Sequence, residues 1–90
     1  MHMEIEWDVA KAASNLAKHG VSFEEAATAL LDPGALAQED RSTTSEARWV
    51  LIGMSVRPRL LTVIYTVRSD DRLRLISARK STRKEASYYA

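Results

Sequence analysis

The sequence predicts a small α+β domain, and three observations carry that prediction. Apolar residues recur at helical spacing in the N-terminal third, between Val9 and Leu30. From Arg48 onward three runs suited to strands follow one another, separated by short turn signals. A helix-start signature then appears at Thr82, so the expected order is β-α-α, a three- to four-stranded antiparallel sheet and a C-terminal helix. The 90 residues support one domain, spanning 1–90.

Glu4-Ile5-Glu6-Trp7 alternates polar and apolar, as a short strand with Ile5 and Trp7 on one face does. Asp8 can accept the free amides of a first helical turn. Val9, Ala12, Ala13 and Leu16 supply the expected buried stripe of that helix, and Gly20 its left-handed cap. Ser22-Phe23-Glu24-Glu25 predicts a second helix opened by a capping box, with Glu25 reaching back. Ala26, Ala27 and Leu30 form its packed side, and Asp32-Pro33-Gly34 ends it.

Residues 35–46 hold a short edge strand and a loop. Arg48 to Met54 places Trp49 and Leu51 on one face, Val50 and Ile52 on the other. Arg57-Pro58 turns the chain into Arg59 to Val67, whose β-branched content marks a central strand. Ser69-Asp70-Asp71 turns it again into Arg72 to Ala78, and Thr82-Arg83-Lys84-Glu85 opens the last helix.

Composition excludes several functions. With no cysteine there is neither a disulfide framework nor a thiolate metal site. His2 and His19 lack partners at ligand spacing, so no metal or other cofactor is expected. The three glycines form no phosphate loop, and no Gly-x-Ser-x-Gly elbow exists. No apolar run approaches the roughly 20 residues of a membrane span, which makes the cytoplasm the expected compartment. His19 sits at a helix C-terminus, a position suited to capping.

Charge is divided unevenly. Residues 1–46 carry nine acids against three bases, or −6, and residues 47–90 carry ten bases against three acids, or +7. Either the basic half meets a polyanion or the two halves pair with each other, and charge alone leaves both open. The candidate phosphate-binding cations are Arg48, Arg68, Arg79 and Lys80, expected near neighbouring strand ends at one mouth of the sheet. Arg79 follows strand parity with Leu73, Leu75 and Ser77. Arginine suits such a site because its planar fork grips phosphate oxygens and stays charged. Arg83, Lys84 and Tyr88 on the last helix are candidate RNA contacts. The competing reading makes these cations rim charges paired with Glu46, Asp70 or Glu85.

Two stretches carry a family signature. One is Glu6-Trp7-Asp8 with Lys11, Asn15 and Lys18-His19-Gly20-Val21-Ser22-Phe23-Glu24-Glu25-Ala26; the other is Ile76-Ser77-Ala78-Arg79-Lys80-Ser81-Thr82-Arg83-Lys84-Glu85, with Arg48 and Ile52-Gly53 between them. Over nearly its full length the chain resembles the BrnT family of type II toxins. The resemblance implies a RelE-like fold and a ribonuclease that cleaves RNA and inhibits growth. It also implies neutralisation by a BrnA-like ribbon-helix-helix antitoxin, in a 2:2 complex that reaches operator DNA through the antitoxin. Two positions depart from the family pattern. The loop Asp40-Arg41-Ser42-Thr43-Thr44-Ser45 lacks a usual His, and Val67 stands where a Glu is common. Those departures motivate a second reading, a catalytically weak or inactive module that pairs with a DNA-binding partner.

Overall fold

A computed structural model describes residues 3–41 and 47–89. Its elements are β1 (Glu4–Glu6), α1 (Val9–His19), α2 (Phe23–Leu30), β2 (Leu36–Asp40), β3 (Arg48–Met54), β4 (Leu60–Ser69), β5 (Arg72–Lys80) and α3 (Arg83–Ala86). Strands β2 to β5 form the expected antiparallel meander. The sheet gains a fifth strand because β1 runs parallel beside β5, giving the order β1-β5-β4-β3-β2. Met1, His2, Ala90 and residues 42–46, including Glu46, lie outside the described residues.

One side of the sheet carries α1 and α2. Val21, Phe23, Ala26 and Ala29 meet Leu61, Val63, Leu73, Leu75 and Ala78 in a core from which water is excluded. Trp7 closes the core edge-on against Phe23, with ring centroids 5.9 Å apart. Helix α2 lies so close to β3 that a side chain at Gly53 would meet the Ala29 carbonyl at 2.6 Å, so no Cβ fits there.

Caps mark the helix ends. Asp8 accepts from the Lys11 amide, Gly20 takes φ 70°, and the Thr82–Glu85 box is complete in both directions. The box at α2 is only half formed. Ser22 accepts from the Glu25 amide at 3.0 Å, but the Glu25 carboxylate turns inward. Arg59 grips it through two bonds of 2.7 and 2.6 Å, and the Ser55 hydroxyl donates at 2.8 Å. These donors, Arg59 foremost, hold the Glu25 carboxyl below its ordinary range although burial opposes them.

Helix α1 also packs differently from its apolar spacing. Val9, Ala13 and Leu16 are exposed, and Asn15 is its buried residue. The Asn15 amide donates to the carbonyls of Val21 and Ala78 at 2.9 and 2.8 Å, and accepts from the Ala78 amide at 3.1 Å. One side chain thereby ties α1 to β5 and to the turn before α2, outweighing the apolar stripe.

Candidate functional site

Among the described residues, α3 is the helix that crosses the other side of the sheet. Directly paired residues on neighbouring strands point to the same face, so the register divides this face into three rows. The first runs Glu6, Arg74, Thr66 and, one step beyond the Trp49–Tyr65 pair, Arg48 and then Asp40. The second is Ser77, Ile64, Val50 and Gln38, and the third is Arg79, Thr62, Ile52 and Leu36. The first row is polar throughout, the second holds the apolar pair Ile64 and Val50 between Ser77 and Gln38, and the third passes from the polar Arg79 and Thr62 to the apolar pair Ile52 and Leu36.

A bulge sets this arrangement. The β4–β5 register shifts between Ile64 and Tyr65, so Leu75 and Ser77 pair with adjacent β4 residues and Ile76 is the extra one. Parity reverses there. Arg79 therefore leaves the face of Leu73 and Leu75, where simple alternation puts it, and joins that of Arg72 and Arg74. Lys80 pairs with Leu61 and falls on the helix side.

The four cations consequently do not share one mouth. Arg48 and Arg79 lie on the open face four residues apart along the strands, or roughly 13 Å, and two strands apart across it. Arg68 is exposed at a second register shift, two residues beyond Thr66 and near the Arg48 end. Arg83, Lys84 and Tyr88 are exposed on or just past α3.

Arg79 is bound to a carboxylate. Its fork donates to both oxygens of Glu85 at 2.7 Å. The same carboxylate accepts from the Thr62 hydroxyl and the Thr82 amide, each at 2.9 Å. Arg79 leads these donors in holding the Glu85 carboxyl at about 2, against the opposing effect of burial. The far end of the C-terminal segment is fixed by the Tyr89 phenol, which donates to Asp32 at 2.6 Å. Asp32 also accepts from the amides of Met54 and Gly34, and these bonds, Tyr89's first, lower its pKa.

The charge division is partly resolved by pairing. Glu4, Glu6 and Glu25 from the acidic half meet Arg72, Arg74 and Arg59 from the basic half. Arg48 is different. Its Nε is buried without a hydrogen-bond partner, as is the Thr66 hydroxyl opposite it. Sequence reasoning missed Thr66, whose place beside Arg48 depends on strand register. Below them, Leu36, Val50 and Ile52 floor a groove of about 530 Å³ walled by Glu85 and Tyr88. Among the described residues no three potential metal ligands gather.

The sequence profile of a family described as the ribonuclease toxin BrnT of type II toxin–antitoxin systems matches residues 7–85. The chain belongs to the BrnT family. Among solved structures it is similar to the Brucella abortus ribonuclease toxin BrnT, with 28% identity and a TM-score of 0.70, over 90% of this chain and 99% of that one. No curated protein matches significantly. The α+β architecture is thus shared with a BrnT toxin, and the type II family implies an antitoxin partner. No helix among the described residues is long and apolar enough to cross a membrane.

Proposed function

We propose that this BrnT-family protein is an active, metal-independent endoribonuclease that inhibits growth by cleaving cytoplasmic RNA. The supporting observation is the open face itself, where the buried, unpartnered Nε of Arg48 lies beside the unpartnered Thr66 hydroxyl. Buried polar groups left unsatisfied lower stability, so two of them side by side on the face opposite α1 and α2 favour a ligand role. The attacking group is the substrate's own 2′-hydroxyl. Its oxygen bonds to phosphorus as the 5′-oxygen leaves, so the protein supplies orientation, proton transfer and charge stabilisation.

Arg48 and Arg68, at one end of the face, bind the reacting phosphate. Arg79 and Lys80 are the other two catalytic candidates, and Arg79 acts from the other end of the face by holding Glu85 and with it α3. Arg83 and Lys84 on α3 steer the RNA backbone, Lys80 adds long-range positive charge from the edge of the helix side, and Tyr88 stacks a base. A BrnA-like ribbon-helix-helix antitoxin neutralises the toxin in a 2:2 complex, which touches operator DNA through the antitoxin. The test is incubation of the purified protein with total RNA, with and without EDTA, beside Arg48→Ala and Arg68→Ala. Cleavage that survives EDTA and falls in both variants is expected. An absolute requirement for divalent metal overturns the metal-free mechanism.

Val67, exposed where a Glu is common in the family, favours the second reading of a weak or inactive binding module. Absence of cleavage together with tight binding to the product of a neighbouring antitoxin-like reading frame would establish that reading instead.

A further inference from the structure

The groove across the second and third rows has a composition of its own. Its floor is aliphatic, with Leu36, Val50 and Ile52. Tyr88 forms a wall with 56% of its surface exposed, although it stands directly before the anchored Tyr89. Gln38, exposed in the second row beside Val50, brings an amide that can donate and accept at once. Three carboxylates also line it: Glu85, bound to Arg79, Glu39, 3.7 Å from the exposed Arg41, and Asp40, which pairs across the strands with Arg48. Arg48 lies two residues before Val50 on the same face, about 7 Å along the strand.

An aromatic wall, an apolar floor, a donor–acceptor edge and a cation one nucleotide's reach away form a combination that suits RNA. We propose that this groove is a nucleobase subsite selective for purines. The base stacks on Tyr88 over Leu36, Val50 and Ile52, Gln38 bonds its edge, and the attached phosphate lies toward Arg48. Purines are preferred because the larger ring covers more of the floor and stacks more strongly. A pocket of about 530 Å³ has room for one. This inference rests on the ribonuclease reading for its choice of ligand, but binding can be measured without cleavage.

The experiment is titration of the isotope-labelled protein with 3′-AMP, 3′-GMP, 3′-CMP, 3′-UMP and ribose 5-phosphate, followed by NMR. The expected result is that the purine nucleotides shift Gln38, Val50, Ile52 and Tyr88 and bind more tightly than the pyrimidine ones. Tyr88→Ala weakens purine binding by at least about fivefold, whereas Tyr88→Phe keeps it and neither changes ribose 5-phosphate binding. Tyr88 is 56% exposed, so both variants are expected to fold, which their unshifted core resonances check. Equal shifts from ribose 5-phosphate and the nucleotides overturn the subsite, as does a groove perturbed by an antitoxin peptide and by no nucleotide. RNA cleavage with no nucleotide in the groove defeats this inference alone. Purine binding without any cleavage defeats the ribonuclease reading and leaves the subsite standing.

Discussion

On the helix-covered side of the sheet, buried polar side chains are bonded: Asn15 makes three hydrogen bonds and Glu25 holds Arg59 and Ser55. On the open side, Arg48 Nε and Thr66 Oγ1 are just as hidden yet bond to nothing. Both faces belong to the same strands, so backbone geometry does not explain the contrast. The covered face is arranged for stability, whereas the open one keeps costly groups that a ligand can satisfy. Removing a bonded polar group from either face should therefore lower stability, whereas removing the unbonded Thr66 hydroxyl from the open face should raise it.

The largest effect is expected on the covered side. Arg59→Ala strands the Glu25 carboxylate, whose side chain is only 5% exposed, and should cost about 3–5 kcal/mol in a urea unfolding experiment. Replacing both partners with apolar residues should recover most of that loss, because no buried charge then lacks a counter-ion. Failure of the double variant to recover would show that the pair fixes the turn geometry and does more than cancel charge.

A smaller effect belongs to the latch where α3 meets the open face. Glu85 has a folded-state value of about 2 against an ordinary 4.5. Its stabilisation is therefore complete above about pH 4.5 and is lost as pH falls through about 2. Glu85→Gln should lower stability at pH 7 by on the order of 1 kcal/mol, discounted because the Arg79 side chain is 37% exposed. The gap to the parent protein should close as pH falls from 4.5 toward 2. Arg79→Gln should likewise lower the thermal midpoint. A cation crowded by like charges would instead give a higher midpoint, and such a rise would break the assignment of Arg79 as Glu85's partner.

The contrast between faces also explains what could be read from the sequence. Local signals were legible: the caps at Asp8, Gly20, Ser22 and Thr82, and the meander from β2 to β5, depend on residues a few positions apart. The Glu25 half of its capping box was not, because a guanidinium 34 residues away competes better for the carboxylate than the local amide does. Asn15, quoted within the family motif, gave no hint that it bonds β5 at Ala78, 63 residues on. Parity put Arg79 on the Leu75 face because one extra residue at Ile76 carries no sequence mark. The groove was invisible for the same reason, since Leu36, Ile52 and Tyr88 meet only through register and the fold-back of α3.

The smallest effect should have the opposite sign, and it is the sharpest test of the comparison. Thr66 is 1% exposed with an unpartnered hydroxyl, and valine has nearly the same shape without that group. Thr66→Val thus removes a buried unsatisfied group without opening a cavity, and should raise stability by about 1 kcal/mol. If the hydroxyl also helps Arg48 hold a phosphate, the same substitution should slow RNA cleavage. A gain in stability with a loss of activity is the signature expected of the open face. A loss of stability would mean that a bound water satisfies Thr66 in solution, and the two faces would then differ in chemistry but not in how well their polar groups are paired.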